Sequence, residues 1–155
     1  MEFSEKVVLV TGAGKGLGRE IALAFAAQGA VVAANDLTPV NLDKTLALMC
    51  AQGGRAQEYL FDIAKALPAR ALVEQVVADY GRIDILVHNA AVAPRAALLE
   101  MDEWDWLRTL DVNLSGAFYL MQAAGRVMRR QGGGVMVTLG ASWDLLMSHT
   151  GVTLL

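Results

Sequence analysis

Glycines at 12, 16 and 18, within Thr11-Gly12-Ala13-Gly14-Lys15-Gly16-Leu17-Gly18, constrain this chain more than any other segment. They follow the apolar run Val7-Val8-Leu9-Val10 and open a stretch with helical periodicity. A strand that turns through glycines into a helix makes a cradle for phosphate. Gly12 takes the backbone angles of a tight turn, Gly16 lets the chain approach a pyrophosphate without a Cβ in the way, and Gly18 lets the helix lie close on the strand. The free N–H groups of the first helical turn then face the phosphates. The spacing G-x-x-x-G-x-G departs from the G-x-G-x-x-G fingerprint, so the turn needs support from the rest of the sequence.

A second apolar run, Val31-Val32-Ala33-Ala34, provides it by ending at Asn35-Asp36, twenty residues past Gly16. In a dinucleotide-binding βαβ unit, a carboxylate there accepts hydrogen bonds from the adenosine ribose hydroxyls and repels a 2′-phosphate. Asp36 thus favours NAD. Lys15 argues the other way, because a cation beside the turn can pair with that phosphate. The plainer alternatives are a helix or turn cap for Asp36 and a solvated surface lysine for Lys15. NAD is the expected cofactor and NADP the lesser candidate, since the acid opposes the extra phosphate directly.

At 155 residues the chain has the size of one domain and can bury a substantial core. Hydrophobic residues make up 55%, yet no apolar stretch approaches the roughly 20 residues that span a bilayer. The segment Met1-Glu2-Phe3-Ser4-Glu5-Lys6 lacks the apolar core of a signal peptide, and the expectation is a cytoplasmic protein. The single cysteine, Cys50, reads as a small buried apolar residue. His88 and His149 are far apart and no Cys/His cluster accompanies them, so no metal is expected. Arg126, Arg129 and Arg130 suit the negative end of a helix dipole better than a nucleic-acid surface, which wants a broader basic face on a chain of net charge other than −3.

Strands and helices alternate, which predicts an α/β domain with a parallel sheet covered on both faces. The expected elements are a helix from Gly16 to Gln28, where Leu17, Ile21 and Phe25 recur every four residues, and a helix from Val40 to Gln52. A strand from Ala56 to Phe61 should follow, then a helix from about Pro68 to Tyr80 with Val73 and Val77 inward and Leu72 and Val76 beside them. Ile83 to Val87 and Val135 to Leu139 read as strands four and five. Between them one long helix is expected over 102–131. Leu107, Leu114, Met121 and Met128 repeat every seven residues along it, with Leu110, Ala117 and Ala124 between them, an apolar stripe for the sheet or a subunit contact.

With those motifs assembled, the chain resembles the short-chain dehydrogenase/reductase family to about Ser142. The resemblance rests on Val10 through Gly18, Asn35-Asp36, Phe61-Asp62-Ile63, Gly81 through Ala91, and Trp104 through Asp111-Val112-Asn113-Leu114-Ser115-Gly116. It implies a Rossmann-type three-layer α/β/α fold, sheet order 3-2-1-4-5, without the family's last helices and strands. By the same resemblance, Asp62 and Ile63 meet the adenine, and Asn89, Ala90 and Ala91 border the cofactor alongside Gly12, Lys15, Gly16, Leu17, Gly18 and Asp36. Asn113 matches the asparagine that holds a water in a proton relay. His88 and Ala91 stand where the family usually has Asn and Gly, and His88 reads as a packing residue.

The implied chemistry is hydride transfer between the cofactor and a small carbonyl or alcohol substrate, in a homo-oligomer paired through helix 102–131. The family's proton donor is a tyrosine with a lysine four residues later. Within these 155 residues the tyrosines are Tyr59, Tyr80 and Tyr119, the last lysine is Lys65, and no Tyr-x-x-x-Lys occurs. Aligning Val137-Thr138-Leu139-Gly140-Ala141 with the end of the family's strand five puts Ala141 at its serine position. Ser142 comes one residue late, so only a local bulge would let it serve as the catalytic serine. The expectation is a domain over 1–142 followed by 143–155 without clear structure, in a truncated or split relative that is inactive by itself. A non-catalytic NAD-binding or protein-interaction remnant is the alternative.

Overall fold

The computed structural model describes residues 1–97 and 99–140. Strand β1 (Val7–Thr11) leads into helix α1 (Gly16–Ala27), followed by β2 (Val31–Asp36), α2 (Pro39–Ala51), β3 (Arg55–Leu60) and α3 (Ala66–Tyr80). Then come β4 (Ile85–His88), α4 (Glu103–Thr109), a π-helical turn (Leu110–Ser115), α5 (Gly116–Arg130) and β5 (Val135–Thr138). The strands form one sheet in the order β3-β2-β1-β4-β5, every pairing parallel. This is the Rossmann-type α/β arrangement that the family resemblance implies.

Strand alternation sends β1 into two cores at once. Val7 and Leu9 join the side chains of α3 and α5 on one face, while Val8 and Val10 join those of α1 and α2 on the other. Both faces are dry, so β1 reads as an unbroken apolar run. The crossover helices must lie on the sheet, and α1 does so through its smallest residues. Gly18, Ala22 and Ala26 are buried, whereas Leu17 is exposed and Ile21 and Phe25 are only half-buried. The Leu17–Ile21–Phe25 stripe therefore flanks the contact face: Ile21 and Phe25 pack partly against the core and Leu17 does not. Close approach decided it, because a helix seated on Gly and Ala sits nearer the strand than large side chains permit. Helix α3 buries Leu72, Val73 and Val76 as expected, with Ala69 in place of Val77 at the centre.

Four other expectations shift. The third strand starts a residue early, at Arg55, and the fourth starts at Ile85, although the Asp84 backbone still donates to the Val7 carbonyl and accepts from Val135 N–H, both at 2.9 Å. There the Asp84 carboxylate accepts from Val7 N–H at 2.9 Å and pairs with Arg82 at 2.5 Å and with Lys6 at 3.8 Å. Cys50 is exposed, since Met49 takes the inward position on α2 and the next residue is rotated by about 100°. The long helix is interrupted by the π turn, and its heptad stripe splits. Met128, Ala117 and Ala124 reach the core, but Leu107 and Leu114 are 48% and 66% exposed. Every residue of β5 is exposed as well, and among the described residues it pairs only with β4. Ala141, Ser142 and 143–155 lie outside the described residues.

Candidate functional site

A cleft of about 450 Å³ opens at the carboxyl ends of β1, β2 and β4, where the strand order reverses between β1 and β4. The glycine turn forms its floor. Gly12 and Gly16 both have positive φ, 65° and 54°. They differ in what surrounds them. A Cβ on Gly12 would lie 2.9 Å from Ala90 Cα, whereas one on Gly16 would meet nothing within 4 Å. Gly12 is thus packed against the chain and Gly16 faces open space at the start of α1. A Cβ on Gly18 would collide with the Gly12 carbonyl oxygen and the Asn89 amide, which explains why α1 begins so close to β1. Gly18 acts from behind the wall, and Leu17 stands on the exposed side of α1, also outside it.

The turn is held from two sides. Gly14 N–H donates to Asp36 Oδ2 at 2.9 Å. Its carbonyl accepts from the Arg19 guanidinium and from Thr45 Oγ1, the latter at 3.3 Å. Thr45 also donates to the Ala13 carbonyl at 3.0 Å, and Arg19 Nε donates to Thr45 Oγ1 at 2.9 Å. Helix α2 thereby fixes the loop that helix α1 starts from.

Asp36 ends β2 inside the cleft wall. Its Oδ1 accepts from Leu37 N–H at 2.8 Å and Thr38 N–H at 3.1 Å, so the carboxylate also shapes the entry to α2. The cap and the ribose ligand that the sequence offered as alternatives are compatible. A carboxylate has about four acceptor positions, and three are used here.

Thr11 is a hub that the motif reading passed over. Its Oγ1 accepts from Asn89 N–H and Ala90 N–H, both at 3.2 Å, and lies 3.3 Å from His88 Nδ1. With both lone pairs engaged, the hydroxyl proton goes to Nδ1, which leaves the His88 proton on Nε2. His88 is 2% exposed, and burial pulls its pKa below the usual imidazole value. The packing role expected of it holds. Asn89 Nδ2 donates to the carbonyls of Thr11 at 3.1 Å and Gly12 at 3.3 Å, joining β4 to the glycine turn.

Asp62, Ile63, Ala90, Ala91 and Lys15 complete the predicted residues in the wall. Asn113 is outside it. Its amide pairs with the backbone of Val92, donating to the carbonyl and accepting from the N–H, both at 2.9 Å. The side chain thus pins the loop after β4, and it sits in the π turn, a distortion common at functional sites. Arg108 and Val112 line the cleft without having been predicted. The available signal was their separation of four, which sets both on one helical face.

The tyrosines do not reach this cleft. Tyr59 donates to Asp79 Oδ2 at 2.7 Å, and burial followed by that hydrogen bond pushes its pKa up. Tyr80 donates to Gln57 Oε1 at 3.0 Å. Among the described residues no group of His, Cys, Asp and Glu is placed to hold a metal ion, and no helix is long and apolar enough to cross a membrane.

The described donor set fits an adenine dinucleotide: an open glycine cradle, a pinned carboxylate at the end of β2 and a second carboxylate beyond it. Comparisons with known proteins agree. The family described as short chain dehydrogenase matches residues 6–145. An "uncharacterized oxidoreductase" of Thermotoga maritima is 40% identical over 146 residues, covering 94% of this chain and 57% of its own length. A solved NAD+-bound xylitol dehydrogenase is 32% identical with a TM-score of 0.89, over 96% of this chain and 57% of that one. A metagenomic short-chain oxidoreductase in complex with NADP is 28% identical with a TM-score of 0.89, over 92% of this chain and 65% of that one. This chain spans about 57% of the length of the curated relative it matches.

Proposed function

The chain belongs to the short-chain dehydrogenase family, and from that premise we propose that its cleft binds NAD for an oxidoreduction of a small carbonyl or alcohol. The observation that carries the reading is Gly16, at positive φ with free space where a side chain would stand, at the start of α1. When bound, NAD would supply hydride exchange with the substrate carbon. The residues of this chain would bind and orient it. The N–H groups at the start of α1 meet the diphosphate, Asp36 accepts from the adenosine sugar, and Asp62 with Ile63 borders the base. Ala90 and Ala91 present a wall without bulk, held in place by Asn89 and Thr11. Lys15 stands at the mouth, and the negative charge of Asp36 favours NAD over NADP.

Proton transfer is the half of the reaction these residues do not supply. Tyr59 is hydrogen-bonded to Asp79 of α3, away from the cleft lining, with its pKa pushed upward, the wrong direction for an acid/base working near neutral pH. Asn113 spends one donor and one acceptor position of its amide on Val92, which fixes the side chain in place, and a relay water would be held by its remaining amide positions or by the backbone of the π turn. Ser142, as the catalytic serine, remains part of the proposal. Residues 1–155 alone are expected to bind cofactor without turnover, as a cytoplasmic domain over 1–142.

Exposed Trp104, Leu107, Leu114 and Phe118 support pairing of two copies through the 102–131 segment. Fluorescence from the three tryptophans tests the central claim by titration with NAD. Saturable binding, weakened by Asp36→Ala, is the expected result, and no binding at millimolar NAD would overturn it.

A further inference from the structure

Arg108 and Asp62 approach each other across one end of the cleft, the guanidinium from α4 and the carboxylate from the loop after β3. Arg108 Nη1 is 3.8 Å from Asp62 Oδ2, an ion-pair distance too long for a hydrogen bond. Asp62 Oδ1 accepts Ala64 N–H at 3.1 Å, which fixes the plane of the carboxylate. Oδ2 therefore keeps its acceptor capacity among the described residues. Arg108 is 27% exposed at its side chain and enters no hydrogen bond among the described residues, so its planar face and its donors are both available. One helical turn later Val112, 5% exposed, adds an apolar surface to the same wall, which Phe61 and Ile63 also line.

A slot with apolar sides, a flat cation and one unused carboxylate oxygen suits a flat heterocycle bearing an exocyclic amine. We infer that Arg108 determines specificity for the adenine end of the dinucleotide. Its charge keeps Asp62 Oδ2 aimed into the cleft as acceptor for the amine, and its plane covers one face of the ring. This rests on the cofactor reading above. Lysine would preserve the first effect and lose the second, because an ammonium is a point charge with no face.

The test compares NAD with its hypoxanthine analogue, in which the amine is replaced by an oxygen, on wild type, Arg108→Ala and Arg108→Lys. Wild type is expected to prefer NAD, and Arg108→Ala to lose about tenfold in NAD affinity together with most of that preference. Arg108→Lys is expected to weaken both ligands while keeping the preference. Circular dichroism checks that each variant is folded, and should the alanine variant fail, the lysine variant decides the matter alone. Wild-type affinity and preference in the folded variants would overturn the role of Arg108 and leave NAD binding intact. A wild type blind to NAD would overturn both.

Discussion

Asp36 Oδ2 accepts the Gly14 N–H at 2.9 Å, so the acid expected to read the sugar also holds the phosphate turn in shape. Removing it does two things at once. Asp36→Ala should weaken NAD binding at least tenfold and also destabilise the free protein by about 1–3 kcal/mol, from backbone donors left without their acceptor. Titration and thermal melting of the same sample separate the effects. A variant that melts like wild type would show that the turn does not depend on Asp36.

Two glycines in the same turn should fail differently. Gly18→Ala drives a methyl group into the Gly12 carbonyl and the Asn89 amide, and should cost about 1–3 kcal/mol or more of stability in urea unfolding. Gly16→Ala meets no protein atom and carries only the positive-φ strain of about 1–2 kcal/mol. Its NAD affinity should nevertheless fall more than that of any other single substitution in the turn. Equal stability losses for the two variants would contradict the difference in their surroundings.

Acid should destabilise the fold in two stages. His88 is kept neutral by burial, its folded pKa below the unfolded one. As the pH falls below about 6.5 the unfolded chain takes up a proton that the folded chain refuses, and stability declines. Asp84 acts lower. Burial alone would raise its pKa, but the Arg82 hydrogen bond, the Val7 N–H and the charges of Arg82 and Lys6 outweigh that and hold it below the carboxylate range. Its stabilisation is complete above about pH 4 and is lost as the pH falls through the depressed folded value. Melting temperature against pH should lose its upper stage in His88→Asn and its lower stage in Asp84→Asn.

Among the described residues the outer side of β5 is open, and the 155-residue chain should associate through it. Val135, Met136 and Val137 are 56%, 43% and 44% exposed on a sheet edge. Light scattering should show concentration-dependent assembly, reduced by Val137→Lys. A monomer at every concentration that binds no apolar dye would refute this.

The parallel sheet and the glycine cleft were legible because each rests on local chemistry, apolar runs of strand length, glycines at a turn and an acid at a fixed distance, whereas the strand order came from the family resemblance. Asp36 could be named for that reason, while Asp62 and Asn89 were named through the resemblance alone. What escaped depended on distance between elements rather than along the chain. Thr11 gains its importance from β4, Arg19 and Thr45 from the contact of α1 with α2, and Arg108 from facing Asp62. Periodicity in α1 marks Leu17, Ile21 and Phe25 and passes over Gly18 and Ala22, because hydrophobicity ranks the larger residues higher whereas proximity to the strand rewards the smaller pair. Periodicity likewise has no term for a π turn, so it carried one stripe through Leu107 and Leu114.

That turn is a phase shift in the helical repeat. Compared with a continuous α-helix, one extra residue swings the upstream part by about 100° relative to α5. The half bearing Arg108 then addresses the cleft, and the half bearing Leu120 and Ala124 addresses the sheet. What looks in sequence like a single rod is two surfaces with separate duties, and deleting one residue between Leu110 and Ser115 would bring them into line at the expense of the pocket.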